Sequence, residues 1–115
     1  KDVIDYSANV ITIEQNATAT AGVAKITAAG IATFNAADDT FAEQLTAVEA
    51  AIQTGTAAAG QTALWQVGSD AYMFISDGTD GVDANDALIK LTGLNLSATA
   101  SDTLTIAADG DAVIA

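Results

Sequence analysis

The chain has 115 residues, room for one ordinary domain, and although half of them are apolar many are alanine, so large side chains for burial are few. Fifteen acidic residues against three lysines and no arginine give a formal charge of -12, which repels a phosphate backbone, excludes a nucleic-acid partner, and suits solubility or divalent cations. Cysteine and histidine are absent, removing disulfides, thiolate zinc sites and imidazole bases, and no apolar run is long enough for a transmembrane segment.

The opening predicts two short extended segments, Val3-Ile4 and Val10 to Ile13, both rich in β-branched residues. Asp2 and Asp5 flank the first, a spacing that suits either a metal-binding turn at the edge of a repeat or an ordinary strand end. Val23 to Thr27 and Ile31 to Phe34 read as a β-hairpin, with Gly30 supplying a positive φ in the connection.

An amphipathic helix follows, near residues 40–54. Thr40 and Glu43 have the spacing of a capping box, and Asp38 and Asp39 add negative charge at the positive helix start. Phe41, Leu45, Val48 and Ile52 form one apolar stripe, leaving Glu43 and Glu49 for the outside, and Gly55 marks the stop. Glu43 therefore reads as a cap, not as a catalytic acid.

Strands dominate the second half. Thr62 to Val67 and Ala71 to Ser76 flank a Gly68-Ser69-Asp70 connection, Ala87 to Thr92 precedes a break at Gly93, and Leu104 to Ala108 precedes a Gly110 turn and an apolar end. Trp65 and Tyr72 suit burial against the helix or, alternatively, an exposed platform for glycans.

The densest polar constellation is SDGTDGVDAND, where Asp77, Asp80, Asp83 and Asp86 recur every three residues beside Asn85, and Gly78 and Gly81 permit tight turns. Such a loop can converge carboxylate and carbonyl oxygens on calcium, and it equally fits a solvated connection that needs no metal. Magnesium, with its stricter octahedral geometry, suits an irregular loop less well. The EF-hand spacing and its terminal glutamate are missing. Catalysis has little to draw on: Ser69, Ser76 and Ser97 have no histidine base, and the carboxylates sit together in one loop instead of facing across a cleft.

Two stretches carry a family resemblance. Asp2-Val3-Ile4-Asp5-Tyr6-Ser7 resembles the last partial turn of the calcium-binding β-roll of RTX-type proteins, with Asp2 and Asp5 matching the edge of that motif. Ala71 to Gly78 and Asp86 to Gly93 resemble the C-terminal non-repeat region of RTX-related adhesins and S-layer-like proteins exported by type I secretion. Asp109, Gly110, Asp111, Ala112, Val113, Ile114 and Ala115 are similar to the acidic-then-apolar tails of such substrates.

The expected fold is thus α+β and β-rich, built of short hairpins and strands with one amphipathic helix. The resemblance implies residues 1–8 as the end of an upstream parallel β-roll and residues 9–115 as the C-terminal domain that caps it. It further implies a non-catalytic, secreted or cell-surface protein whose partners are its own upstream repeats and the type I secretion machinery. In that reading calcium is the cofactor, Asp77, Asp80, Asp83, Asn85 and Asp86 are its ligands, and the residues from Asp109 to Ala115 are the secretion signal. The rival expectation is an adhesion or glycan-binding module, partnered by surface glycans or by self-assembly, with a calcium-stabilised acidic loop.

Overall fold

The computed structural model describes residues 2–6, 10–53, 58–96 and 104–114. The expected helix stop at Gly55, Ser7, Ser97, the tail position Ala115 and the side chain of Asp2 lie outside the described residues. Nine strands and one helix follow in the order β1 (Asp2–Ile4), β2 (Thr12–Ile13), β3 (Lys25–Ile26), β4 (Ala32–Thr33), α1 (Phe41–Ile52), β5 (Gln61–Val67), β6 (Asp70–Ile75), β7 (Ala87–Leu91), β8 (Leu104–Ile106) and β9 (Ala112–Ile114).

The centre is a four-stranded sheet in the order β2-β5-β6-β7, with β2 parallel to β5 and the other pairs antiparallel. Its middle hairpin is buried on both faces, and so β5 and β6 read as near-continuous apolar runs instead of alternating ones. Ala63, Trp65 and Phe74 point to one face, against Val48 and Ile52 of α1 and Ile26 and Ala32 of the β3–β4 hairpin. Leu64, Ala71, Met73 and Ile75 point to the other, against Ile11, Leu104, Ala112 and Ile114. The result is three layers: helix with hairpin, central sheet, and the outer sheet β1-β9-β8. The fold is α+β and β-rich.

Alanine has a specific use in the first layer. Ala24 and Ala47 are both fully buried, and the Ala24 amide donates to the Ala47 carbonyl at 2.9 Å, a main-chain contact between hairpin and helix that a larger side chain would hold apart.

The helix starts as its sequence predicts. Thr40 is the N-cap; its hydroxyl accepts from the Glu43 amide at 3.2 Å, and the Glu43 carboxylate accepts from the Thr40 amide at 3.0 Å. Val48 and Ile52 are fully buried, with Phe41 and Leu45 partly buried at the same core. Glu49 departs from expectation. Instead of remaining outside it is buried, because its carboxylate has a main-chain donor in a distant loop.

The β5–β6 connection is a two-residue turn, Gly68-Ser69, and Asp70 belongs to β6, opposite Val67. The last strand, β9, is not an edge strand: it lies between β1 and β8, pairing antiparallel with both. Ala112 and Ile114 are buried there. The first and last strands thus share one sheet, and Ile11 and Gly110 reinforce the join with a 2.9 Å main-chain hydrogen bond. Among the described residues no helix is long and apolar enough to cross a membrane.

Candidate metal centre

The acidic segment connects β6 to β7, an antiparallel pair whose register sets Ile75 opposite Ala87. The base of the loop is fixed by Ser76, fully buried, whose amide donates to the Gln61 carbonyl at 2.9 Å and whose carbonyl accepts from Gly60 at 2.9 Å. Rigid strand ends therefore hold the loop at both sides.

Within the loop, Asp86 is the organiser. Its two carboxylate oxygens accept from two different amides, that of Asp77 at 2.9 Å and that of Asp83 at 2.8 Å. Asp77 accepts from the Thr79 amide at 2.8 Å and Asp83 from the Asn85 amide at 2.7 Å, two Asx turns that fold the chain on itself. Gly78 and Gly81 take the positive φ expected of them, both 91°.

These bonds bring one carboxylate oxygen from each of Asp77, Asp83 and Asp86 to within 4.8 Å of one another. Asp83 is exposed, while Asp77 and Asp86 are half-buried. Asp80, although in step with the others in sequence, is exposed and stands outside this group. Asn85 serves the site through its main-chain N–H.

The donor set fits a hard cation. It is entirely oxygen, and each carboxylate oxygen has two lone pairs, so accepting an amide still leaves capacity for a metal. Calcium tolerates the irregular arrangement of such a loop better than magnesium does.

Two residues of the helix, not foreseen from sequence, hold the loop from outside. Glu49 accepts from the Gly81 amide at 2.8 Å, and the Gln53 side-chain amide donates to the Thr79 carbonyl at 3.2 Å. The Gln53 Oε1 is buried with no hydrogen-bond partner. Glu49 and Gln53 lie four apart and so share a helix face; that polar pair beside an apolar stripe was the available signal.

The other sequence-predicted acids meet elsewhere. The β1–β9 register sets Ile4 opposite Ala112, which carries Asp5 toward Asp111 and Asp109. Burial, and then the charges of Asp109 and Asp5, push the Asp111 carboxyl above its ordinary value. Val113 and Ile114, expected as part of a tail signal, are here strand residues, Val113 opposite Val3 and Ile114 opposite Asp2.

Trp65 does not form a glycan platform with Tyr72, because it is 0% exposed. It stacks on Phe41 with ring centroids 5.9 Å apart and meets Phe34 edge-on at 6.2 Å.

No family model, no curated protein and no solved structure matches this chain.

Proposed function

We propose that this chain is a non-catalytic structural domain of an exported, RTX-like surface protein in which calcium closes the acidic β6–β7 loop. The observation that carries this reading is the convergence of the Asp77, Asp83 and Asp86 carboxylates within 4.8 Å on a loop anchored at both ends. Three like charges so close repel one another until a cation intervenes, so the domain tightens where calcium is plentiful, as it is outside a cell. Capping of upstream β-roll repeats and a type I secretion signal in residues 109–115 belong to the same proposal. Because Ala112 and Ile114 are buried in a central strand, such a signal acts on the unfolded chain, before the outer sheet assembles.

The test is a calcium titration followed by thermal unfolding. Calcium at ten times its dissociation constant adds about 1.4 kcal/mol, a rise in Tm on the order of 5 °C. The rise is expected to disappear in Asp83→Asn and to persist in Asp80→Asn. A wild-type chain whose Tm is indifferent to millimolar calcium overturns the calcium reading.

A further inference from the structure

A second site lies on the opposite flank of the helix start. The β4 strand meets β5 only at the Ile31–Leu64 bridge, where the Leu64 amide donates to the Gly30 carbonyl at 2.8 Å. Beyond that point β4 turns away to pair with β3, while β5 continues to Val67. The two diverge and leave a groove of about 460 Å³, walled by Thr33, Phe34, Asn35, Asp39, Gln44 and Gln66. Main-chain direction alternates along a strand. The Gln66 N–H and C=O therefore point to the same side as the Leu64 N–H, into the gap.

Polar groups of both kinds converge there. Asn35 uses its Oδ1 to accept from the Ala37 amide at 3.0 Å, which fixes the side chain and leaves Nδ2 to donate. Gln44 uses its Nε2 on the Asp38 carbonyl at 3.3 Å, leaving Oε1 to accept. Asp39 and Thr33 are exposed, and the partly buried Phe34 ring is held by Trp65. The Gln66 side chain is a fixed wall: its amide donates to the Asp70 and Leu94 carbonyls and its oxygen accepts from Leu96. No cation lines the groove; Lys25, opposite Thr33 across the hairpin, is not part of its wall.

We infer that this groove binds a neutral sugar. Each sugar hydroxyl both donates and accepts, which matches the interleaved donors (Asn35, Thr33, the Gln66 amide) and acceptors (Asp39, Gln44, the Gln66 carbonyl), while a C–H face of the ring packs on Phe34. Anionic sugars meet Asp39 and Asp38 with no compensating charge. An extended peptide would find the Gln66 main chain but no apolar pocket for its alternate side chains except Phe34. The site needs no calcium and does not rest on the acidic loop.

The experiment is an NMR titration of the isotope-labelled protein in excess chelator. The probes are methyl glucoside, methyl galactoside and methyl N-acetylglucosaminide, with glucuronate and a neutral threonine-valine peptide for comparison. Saturable shifts of the residue 33–44 and Gln66 amides, with a dissociation constant on the order of 1 mM, are expected for at least one neutral glycoside. Asn35→Ala and Asp39→Asn, both surface changes, are each expected to weaken that binding about tenfold while leaving the spectrum of the core unchanged. The inference is overturned if no neutral glycoside shifts these amides, if glucuronate or the peptide binds there more tightly, or if both variants bind as the wild type does.

Discussion

The Glu49 carboxylate, buried on the flank of the helix, accepts the main-chain N–H of Gly81 at 2.8 Å across 32 residues of sequence. That one bond ties the centre of the acidic loop to the layer that packs on the central sheet. Gln53, one turn further on, takes the Thr79 carbonyl, so the helix grips the loop at two neighbouring points. A buried acceptor of this kind is costly to remove because the donor it leaves behind loses its partner.

Glu49→Ala is therefore expected to destabilise the fold by about 1.5–3 kcal/mol, the range for a hydrogen bond to a charged group. Glu49→Gln keeps an acceptor oxygen in the same place and is expected to lose less. Urea unfolding of the three proteins side by side checks the order, and equal stability of the alanine variant and the wild type would show that the bond contributes nothing.

How much of this was legible in the sequence follows from the range of each interaction. The capping box of Thr40 and Glu43 spans three residues and is written in the chain, as is the turn that joins β5 to β6. The pairing of β1 with β9, and the parallel pairing of Thr12 with Gln61, leave no local trace because the partners are far apart in sequence. Glu49 was assigned to the surface for the same reason: nothing near it announces Gly81. In the loop, a regular spacing of aspartates implied four equivalent ligands. Asx turns at Asp77 and Asp83 break that regularity, so Asp80 does not join the other three.

Trp65 offers a second contrast. Its ring is wholly buried among Phe34, Phe41 and Tyr72, yet its indole N–H has no hydrogen-bond partner. Trp65→Ala removes the ring and is expected to cost about 3–5 kcal/mol. Trp65→Phe keeps much of the packing and deletes the unpaired donor, whose burial itself costs about 1–3 kcal/mol, so the loss of ring volume is largely offset. Chemical denaturation should place Trp65→Phe within roughly 1–2 kcal/mol of the wild type; a loss as large as that of the alanine variant would mean that the N–H is satisfied in solution.

Acid should act on the fold in two opposite steps. The Glu43 carboxyl is held below its ordinary value chiefly by the main-chain and hydroxyl donors of Thr40, and Asp70 by the Gly93 amide and then by Lys90, whose ammonium is 3.4 Å away. A depressed carboxyl stabilises the fold above its unfolded pKa, and that contribution is lost as the pH falls through the folded value. Asp111 is raised, so the sign reverses: its contribution is present below the unfolded value and is lost as the pH rises through the folded one. On acidification from neutrality, stability should first gain from protonation of Asp111 and then fall as Glu43 and Asp70 protonate. Urea midpoints measured from pH 7 to pH 2 test this, and Asp111→Asn should raise the neutral midpoint and remove the early gain. A curve that falls monotonically in the wild type and is unchanged in the variant contradicts it.

Gly30 is the point where all three layers meet. Its φ of 76° lies in the left-handed region, its carbonyl accepts from Leu64 of the central sheet, and a Cβ there would lie 2.7 Å from a Leu104 methyl and 3.4 Å from Ile13. Gly68 has a similar φ, 62°, but a Cβ on it would meet nothing within 4 Å. Alanine at either position bears the left-handed backbone penalty of about 1 kcal/mol. Only at Gly30 must a buried side chain of the outer sheet also shift, adding about 1–3 kcal/mol of overpacking. Gly30→Ala should thus unfold at a clearly lower denaturant concentration than Gly68→Ala. Because Leu104 sits beside β9, its loss should also be the larger in hydrogen-exchange protection of the Ala112–Ile114 amides, where Gly68→Ala, remote from the outer sheet, leaves protection near the wild-type level. Equal effects of the two substitutions on both measurements would place the outer sheet outside the cooperative core and contradict the role assigned to Gly30.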